Sequence, residues 1–466
     1  MTTALLTDNY ELTMAQTYLQ NGRWKERAVF DYFFRTLPFE GGYAVFAGLE
    51  DLVQNLQTFR FGPEELDYLK NTGYTDDFLA YLEKFEFCGD LYSPPEGEII
   101  FPNAPILRIQ GNLIEAQIIE TILLNTLNFQ TLIATKAARI KEVSGSALVS
   151  EFGFRRAPGL GGLAAARAAI IGGCDSTSNL EAGRRFRVPV AGTMAHSFVQ
   201  TYSDELTAFR QFAKVHGSKT VLLLDTYNTL YSGLPNAISV AKELEKEGKR
   251  LAGVRLDSGD LAYLAKAVRT ALDRENLNYV KIVASNQLDE YVIRSLYNQG
   301  APIDFFGVGT SLATGLPDAA LDGVYKLAET AGRPTMKFSE KLSKSTLPGC
   351  KTVWRLYDDD GMFTGDIIDL EGADFPKTMI HPFEPDRFRD VSRFQFEPLL
   401  KPVLKEGKLL NPLPDVLDAA AYKKERMEKL PVEHRRFENP HIYKVGISPA
   451  LKNLRDELRV QYRQSK

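Results

Sequence analysis

Cysteine and histidine are scarce in this 466-residue sequence, which has three of the first and five of the second. Because Cys88, Cys174 and Cys350 lie far apart, neither a disulfide framework nor a zinc-binding spacing is present, and a reducing, cytoplasmic compartment is expected. No apolar run of about 18 residues occurs, which predicts that no segment spans a membrane. The first residues also lack the basic and apolar regions of a secretory signal.

An excess of basic charge is absent as well. The formal net charge of −4 argues against a general nucleic-acid-binding protein but leaves room for a local basic pocket for phosphates. The chain has no G-x-x-x-x-G-K-[ST] pattern, and the glycines at 159–162 lack the G-x-G-x-x-G spacing of dinucleotide-binding proteins. With 44% hydrophobic and 25% charged residues, the composition is that of a globular protein, and the length predicts two or three domains.

The middle of the chain alternates short apolar segments with helical patterns, an order typical of parallel α/β folds. The predicted strands lie within 147–152, 187–191, 220–226, 251–257, 280–285 and 303–309, and the predicted helices within 160–171, 203–215, 235–248, 260–273 and 287–298. Six or more such units favour a barrel over an open sheet, although no switch point in the sequence decides between the two.

The N-terminal part has a mixed α+β pattern. Its first helix is predicted at 8–21, with Asp8 as N-cap and Gly22 as C-cap. A longer helical region from 113 to 144 is expected to break near 125–130.

Strand patterns return after the middle region, and two charged helices are predicted at 414–429 and 449–464. We therefore expect an N-terminal α+β domain at 1–115 and an α/β domain at 116–335 that carries most of the active site. The C-terminal segment, 336–466, is expected to pack back onto the first domain.

Polar residues follow the predicted strands of the middle region, at the edge where βα loops build active sites. A single polar strand end has little meaning, but a succession of them favours function over stability. The candidates are Glu151, Arg155, His196, Asp225, Arg255, Asp257, Ser285, Asn286, Gly307 and Gly309.

Several candidates also have a plainer structural interpretation. His196 lies among small residues that leave its ring reachable, yet a lone histidine in such a turn is often a satisfied structural residue. Arg255 suits a phosphate or carboxylate, and Asp257 suits a ribose hydroxyl or water-mediated magnesium, but Asp257 or Ser258 could equally cap the next helix. The glycine-rich turn at 305–315 suits either a phosphate or a simple tight turn.

Two aromatic residues leave the same choice open. Phe152, beside Arg155 and Arg156, suits the binding of a flat anionic substrate. The alternative is that the Phe152 ring belongs to the hydrophobic core and the two arginines lie on the surface. Tyr10 lies in the first turn of the first predicted helix, where packing is the expected role.

Nine segments stand in one order along nearly the whole chain: TDNYELTMAQTY (7–18), GGYAVFAGLE (41–50), EFGFRRA (151–157), GTMAHSF (192–198), DTYNT (225–229), VRLDSGDL (254–261), FFGVGT (305–310), LPGCKTVWR (347–355) and NPHIYKVGIS (439–448). Together they resemble the nicotinate phosphoribosyltransferase family, and a match of so many ordered motifs is highly specific.

The resemblance implies a homodimer of the type II phosphoribosyltransferase fold. In that fold, an open sandwich-like domain made from both chain ends joins an irregular α/β barrel. The implied reaction converts nicotinate and phosphoribosyl pyrophosphate into nicotinate mononucleotide and pyrophosphate, with ATP as co-substrate and Mg²⁺ as cofactor. It is the first step of NAD salvage from nicotinate.

The resemblance also implies roles for single residues. His196 matches the histidine that ATP phosphorylates. Phe152 matches an aromatic residue on one face of the pyridine ring, and Tyr10 matches the residue on the other face, supplied by the partner subunit. Arg155 and Arg255 match cations that hold the phosphates and the carboxylate of the substrates.

The remaining matches concern the ribose, its phosphate and the choice of substrate. Asp257 matches a contact to the ribose or its magnesium, and the 5′-phosphate loop comprises Gly307, Gly309 and Thr310. Ser178 falls where the related nicotinamide enzyme carries an aspartate, which would repel the nicotinate carboxylate. Two further substrate-binding candidates are Asp225 and Ser285.

Two other functions remain open at this stage. One is a nicotinamide phosphoribosyltransferase of the same fold, and the other is a non-catalytic dimer that binds nucleotide. Some family members carry a cysteine-rich zinc knuckle near the C-terminus, but only Cys350 lies in the last third of this chain. We therefore expect no metal held by protein ligands alone, and neither nucleic acid nor a membrane as partner.

Overall fold

The computed structural model describes residues 4–338 and 345–464. The chain forms two compact units, of which the first combines Met1–Leu132 with Ala320–Lys466 and the second comprises Ile133–Ala319. The first unit is thus built from both chain ends, and the second covers a shorter range than the 116–335 expected from the sequence. Among the described helices, none combines the length and apolar character needed to cross a membrane.

Helices occur in both units. The α-helices are α1 (Asn9–Gln20), α2 (Leu49–Thr58), α3 (Pro63–Asn71), α4 (Asp76–Glu83), α5 (Leu113–Ile118), α6 (Glu120–Ser144), α7 (Leu160–Ile171), α8 (Leu180–Phe186), α9 (His196–Gln200), α10 (Glu205–His216), α11 (Leu234–Lys246), α12 (Leu261–Arg274), α13 (Glu290–Asn298), α14 (Thr310–Thr314), α15 (Val416–Glu428) and α16 (Pro449–Gln464). A π-helical turn covers Thr229–Gly233, and 3₁₀ turns cover Pro38–Glu40, Gly217–Lys219 and Val432–His434.

The strands are mostly short. They are β1 (Arg27–Phe34), β2 (Ala44–Val45), β3 (Asp90–Ser93), β4 (Ile99–Ile100), β5 (Leu107–Asn112), β6 (Leu148–Glu151), β7 (Ser176–Thr177), β8 (Val221–Leu223), β9 (Gly253–Leu256), β10 (Lys281–Ser285), β11 (Phe305–Val308), β12 (Gly323–Thr330), β13 (Arg333–Pro334), β14 (Lys351–Tyr357), β15 (Phe363–Leu370), β16 (Thr378–Ile380), β17 (Phe388–Asp390), β18 (Gln395–Pro398), β19 (Lys401–Lys405), β20 (Lys408–Leu409) and β21 (Val445–Ile447).

Antiparallel pairing dominates the first unit. Its largest sheet has seven strands in the order β13-β12-β1-β5-β3-β19-β20, and all neighbours in it are antiparallel. A six-stranded sheet has the order β17-β16-β21-β15-β14-β18, and β2 pairs with β4. The alternating aromatic residues Phe30, Tyr32 and Phe34 of β1 share a buried cluster with Leu52 of α2 and Leu82 of α4, so helices cover one face of the large sheet.

The second unit contains one six-stranded sheet in the order β7-β6-β11-β10-β9-β8, with every neighbouring pair parallel. Strands β8 to β11 are neighbours in chain order, and β11 then pairs with β6, which pairs with β7. The sheet therefore has the strand order of a ring that is open between β7 and β8. Val254, Ile282, Ala284 and Phe306 are completely buried, as expected for a parallel sheet covered on both faces. The α/β class is confirmed, and closure into a complete barrel stays a prediction.

The start of α1 differs from the sequence prediction. Asp8 occupies the N-cap position, but its carboxylate accepts a hydrogen bond from the Thr121 hydroxyl at 3.2 Å and none from the helix backbone. Asn21 is the C-cap, and Gly22 follows it with a φ of 68°, the left-handed conformation that favours glycine after a helix.

Two further predictions are corrected by tertiary pairing. The predicted strand at 187–191 is reduced to one parallel bridge between Thr177 and Val190. The helical region does not break at 125–130, because α6 runs through it and the interruption lies at Ile119.

Candidate active site

The ends of β9 and β10 bring three of the predicted residues, Arg255, Asp257 and Ser285, into one hydrogen-bond network. Arg255 Nε donates to Ser285 Oγ at 2.8 Å, and Nη2 donates to Asp257 Oδ1 at 2.6 Å. Ser285 Oγ also donates to Asp257 Oδ1. Leu256 pairs with Ala284 in the parallel register, so the residues that follow these two positions lie level at the sheet edge.

His196 begins helix α9 and faces this network. Its Nε2 lies 3.8 Å from Asp257 Oδ2, and its Nδ1 lies 3.2 Å from Thr226 Oγ1. The side chain is 41% exposed, so the ring is reachable from solvent. Because a carboxylate faces Nε2, it favours the tautomer with the proton on that nitrogen and leaves the lone pair on Nδ1.

Asp225, just after β8, supports the loop that carries Asp257. Its Oδ2 accepts a hydrogen bond from the Asp257 backbone N–H at 3.1 Å and another from the Ser258 hydroxyl. Its Oδ1 is buried and has no hydrogen-bond partner within the described residues. Asp260 caps α12 by accepting from Tyr263 N at 3.0 Å, so the alternative interpretation of Asp257 or Ser258 as the helix cap is wrong.

A strained turn follows Ser285. Asn286 and Gln287 have φ values of 80° and 48°, in the left-handed region that non-glycine residues rarely adopt. Consecutive residues of this kind are typical of turns whose geometry is held for function.

Phe152 lies against the backbone of β11. A Cβ placed on Gly307 would lie 2.5 Å from two carbons of the Phe152 ring, so only glycine allows this approach. Phe152 N donates to Val308 O at 2.8 Å, and the Arg255 guanidinium lies 5.9 Å from the ring centroid. The glycine-rich turn continues through Gly309, which precedes Thr310 and the five-residue helix α14.

Glu151 organises the neighbouring strand ends instead of facing solvent. Its buried carboxylate accepts a hydrogen bond from Thr177 Oγ1 at 2.7 Å and another from the Gly153 backbone. Burial raises the pKa of Glu151, and these hydrogen bonds oppose that rise. Ser178 is exposed just after β7, where its N–H donates to Glu151 O at 2.9 Å.

Two predicted ligand contacts lie outside this hydrogen-bond network. Arg155 is exposed in the segment between β6 and α7. Tyr10 lies in α1 of the first unit and is 47% exposed. Partial burial of the phenol, together with the charges of Glu120 and Glu11, raises the pKa of Tyr10 above its usual range.

Sequence reasoning missed two hydroxyl groups at this site. Thr193 Oγ1 accepts from Arg255 Nη1 at 3.0 Å, and Thr226 contacts the histidine ring. Both lie inside motifs already singled out, directly beside a candidate residue, and that proximity was the only available signal.

The fold and these side chains define the class of the protein. A reachable histidine, a hydrogen-bonded arginine, two carboxylates and an aromatic ring meet at the carboxyl edge of a parallel sheet, as in α/β enzymes that build their sites on βα loops.

Comparisons with known proteins identify the family. The N-terminal domain of nicotinate phosphoribosyltransferase matches residues 5–128, the nicotinate phosphoribosyltransferase family matches 148–377, and the C-terminal domain matches 350–455. The nicotinate phosphoribosyltransferase of Bacillus subtilis (strain 168) is 45% identical over 458 residues, 96% of this chain and 93% of the relative. That of Dictyostelium discoideum is 37% identical over 511 residues, 96% of this chain and 87% of the relative.

Solved structures agree with the sequence comparisons. Human nicotinic acid phosphoribosyltransferase has a TM-score of 0.86 at 33% identity, covering 97% of this chain and 99% of its own. A nicotinate-nucleotide pyrophosphorylase from Pyrococcus furiosus has a TM-score of 0.72 at 25% identity, covering 91% and 95%. The chain belongs to the nicotinate phosphoribosyltransferase family.

Proposed function

We propose that this protein transfers the phosphoribosyl group of phosphoribosyl pyrophosphate to nicotinate, forming nicotinate mononucleotide and pyrophosphate as the first step of NAD salvage from nicotinate. ATP hydrolysis through a phosphohistidine at His196 is coupled to this transfer. The observation that carries the proposal is the shared network in which Asp257 contacts both Arg255 and the ring of His196.

The transfer step needs positioning and charge balance more than proton transfer. The pyridine nitrogen of nicotinate attacks C1 of the ribose, a C–N bond forms, and the C–O bond to pyrophosphate breaks with both electrons on the leaving oxygen. The transition state resembles an oxocarbenium ion, which a nearby carboxylate such as Asp257 stabilises. Phe152 supplies a flat surface for the ring, and Arg255 supplies positive charge for an anionic group.

His196 is suited to carry the phosphoryl group. In the tautomer that Asp257 favours, Nδ1 attacks the γ-phosphorus of ATP, a P–N bond forms, and the P–O bond to ADP breaks. Attack of water on the phosphohistidine later releases phosphate and restores the imidazole. The Asp257 carboxylate balances the positive charge that develops on the ring during attack.

The residues at this site suit a Mg²⁺ ion that is held partly by protein oxygens and partly by the substrate. Within the described residues, no group of three or more His, Cys, Asp or Glu side chains is placed to hold a metal ion. The unpartnered Oδ1 of Asp225 and the neighbouring Asp257 offer oxygen ligands of the kind that Mg²⁺ prefers. Bound there with water and pyrophosphate oxygens, Mg²⁺ would offset the charge of the leaving group.

The proposed active unit is a homodimer in which Tyr10 of one subunit covers the nicotinate ring in the other. The exposure of Tyr10 in α1 leaves its ring available for such a contact. On the same proposal, Arg155 and the segment from Gly307 to Thr310 bind anionic groups of the substrates, and the neutral Ser178 tolerates the nicotinate carboxylate.

The deciding experiment measures mononucleotide formation from nicotinate and from nicotinamide, each with phosphoribosyl pyrophosphate and Mg²⁺, with and without ATP. We expect product from nicotinate only, increased by ATP with release of phosphate. Product from nicotinamide would assign the sister activity and contradict the role of Ser178. A folded protein that binds phosphoribosyl pyrophosphate without turnover would be the non-catalytic binding protein instead.

The phosphohistidine has its own test. His196→Ala is expected to lose ATP hydrolysis and the ATP-driven gain while keeping slow transfer, because the ring nitrogen of nicotinate is its own nucleophile. His216→Ala, on an exposed histidine of α10, is the matched control. Full ATP coupling in the His196 variant would refute the assignment.

A further inference from the structure

The first unit contains a pocket of its own. Its wall is formed by strands of both sheets and by helix α16. The apolar part of this wall includes Phe33, Leu327, Leu347, Ile368 and Phe383. A mostly apolar wall with a few polar groups is typical of small-molecule sites, in which the polar groups fix the orientation of the ligand.

Basic side chains outnumber acidic ones in the wall of this pocket: Lys326, Lys351, Arg455 and Arg459 line it together with one described carboxylate, Asp31. Arg455 donates through Nη1 to Pro382 O at 2.6 Å, and its Nε lies 3.2 Å from Asp456 Oδ1. Arg459, one turn further along α16, is partly buried and forms no ion pair with any described residue. Because residues four apart lie on one face of a helix, Arg455 and Arg459 both line the pocket.

Asp31 gives the pocket a second polar feature. It is 3% exposed, and its Oδ2 pairs with Lys351 Nζ at 2.7 Å. Lys351 directs its other N–H groups to Leu347 O at 2.9 Å and Gly349 O at 2.6 Å. Asp31 Oδ1 is left buried without a hydrogen-bond partner among the described residues. Such an oxygen is costly unless a ligand supplies a donor.

We propose that this pocket binds a small organic anion with a ring-sized apolar body. Its carboxylate or phosphate pairs with Arg459 beside Arg455, the body lies against the apolar wall, and a hydroxyl or amino group on the body donates to Asp31. The ligand takes no part in the proposed transfer reaction, so the site is an additional one.

The test uses the full-length protein labelled with [methyl-¹³C]methionine and titrated with 4-hydroxybenzoate. Met336 lies in the pocket wall, and Met194 lies beside Arg255, where its carbonyl accepts from Nη1 at 3.4 Å. The two methyl signals, assigned from Met→Leu variants, therefore report the two sites separately. We expect a saturable shift of Met336 that is independent of any response at Met194.

Variants and a neutral analogue test the charge. Arg459→Gln is expected to weaken binding about tenfold, the usual loss for a charged hydrogen bond. Arg463→Gln, on an exposed residue one turn further along α16 and outside the pocket wall, should bind within twofold of the unmodified protein. 4-Hydroxybenzyl alcohol, which lacks the anion, should bind at least tenfold more weakly.

Several results would overturn the inference. They are an unchanged Met336 signal, equal affinities of the two arginine variants, and equal affinities for the acid and the alcohol. A response at Met194 alone would place the binding at the candidate active site and would leave the proposed function intact.

Discussion

Substituting Gly307 by alanine tests the placement of Phe152 most directly. The added Cβ would lie 2.5 Å from two carbons of the Phe152 ring, whereas carbon atoms pack at about 3.5 Å or more. The ring must therefore withdraw by about 1 Å from the strand. The backbone at Gly307 is ordinary β-strand, so the strand itself accepts alanine and the change should stay local.

The expected effect falls on nicotinate and spares the other substrates. Stacking of a ring on an aromatic side chain contributes about 1–3 kcal/mol, so partial loss should raise the KM for nicotinate about tenfold. The KM for phosphoribosyl pyrophosphate should change less than the KM for nicotinate. Gly307 can offer only its backbone to the proposed phosphate-binding segment, which alanine keeps, and Arg255 and Asp257 keep their contacts. The assay is steady-state kinetics with each substrate varied in turn.

A double-mutant cycle separates this explanation from a general disturbance of the glycine-rich turn. In a Phe152→Ala background, Gly307→Ala should have almost no further effect, because the ring it displaces is gone. Gly161→Ala, at an open position on α7 where an added Cβ meets no atom within 4 Å, is the control and should match the unmodified protein. Additive effects in the cycle, or an equal rise in the KM for phosphoribosyl pyrophosphate, would refute the reasoning.

Three further changes should have distinct outcomes. In Arg255→Lys, the lysine ammonium lacks the planar set of N–H donors with which the guanidinium binds its partners. The substitution should lower kcat/KM about a hundredfold and leave the melting temperature unchanged. Glu98→Gln removes a carboxylate that the buried Arg355 and Arg426 contact at 2.6 and 2.9 Å. The free energy of unfolding, measured with denaturant, should therefore fall by about 3–5 kcal/mol. The control Glu425→Gln, at an exposed residue, should lower it by less than about 1 kcal/mol. Burial raises the pKa of Glu11 from 4.5 to about 8, so its contribution to stability is full below pH 4.5 and is lost as the pH rises through 8. Glu11→Gln should therefore flatten the stability profile between these pH values, and an unchanged profile would contradict this.

Two helices were predictable from the sequence, α7 from its run of alanine and other apolar residues and α16 from its amphipathic pattern. Helix α7 has the predicted bounds, and the helix predicted at 449–464 is α16. The strand Ser176–Thr177 was not predicted, because two polar residues carry no periodic signal and their strand geometry depends on pairing with β6. The predicted strand at 187–191 has a suitable composition, yet its pairing is limited to one bridge between Val190 and Thr177.

Side-chain partnerships were less predictable than the positions of the candidates. Arg255, Asp257 and Ser285 were identified from strand ends, but their mutual hydrogen bonds depend on the parallel register of β9 and β10. The interaction of Asp8 with Thr121 joins residues far apart in sequence and replaces the local cap that the sequence suggested. Local chemistry thus identified residues, whereas tertiary pairing determined their partners.

The two oxygens of Asp257 explain how ATP use and transfer can be coupled in the proposed mechanism. Oδ1 is held by Arg255 and Ser285 on the side proposed for the phosphoribosyl substrate, and Oδ2 faces His196. A phosphoryl group on Nδ1 places negative charge near these residues, and any proton that the ring then carries is confined to Nε2, which faces the carboxylate. Both changes alter the electrostatic environment of Arg255. One carboxylate can therefore transmit the state of the histidine to the substrate site without movement of the sheet.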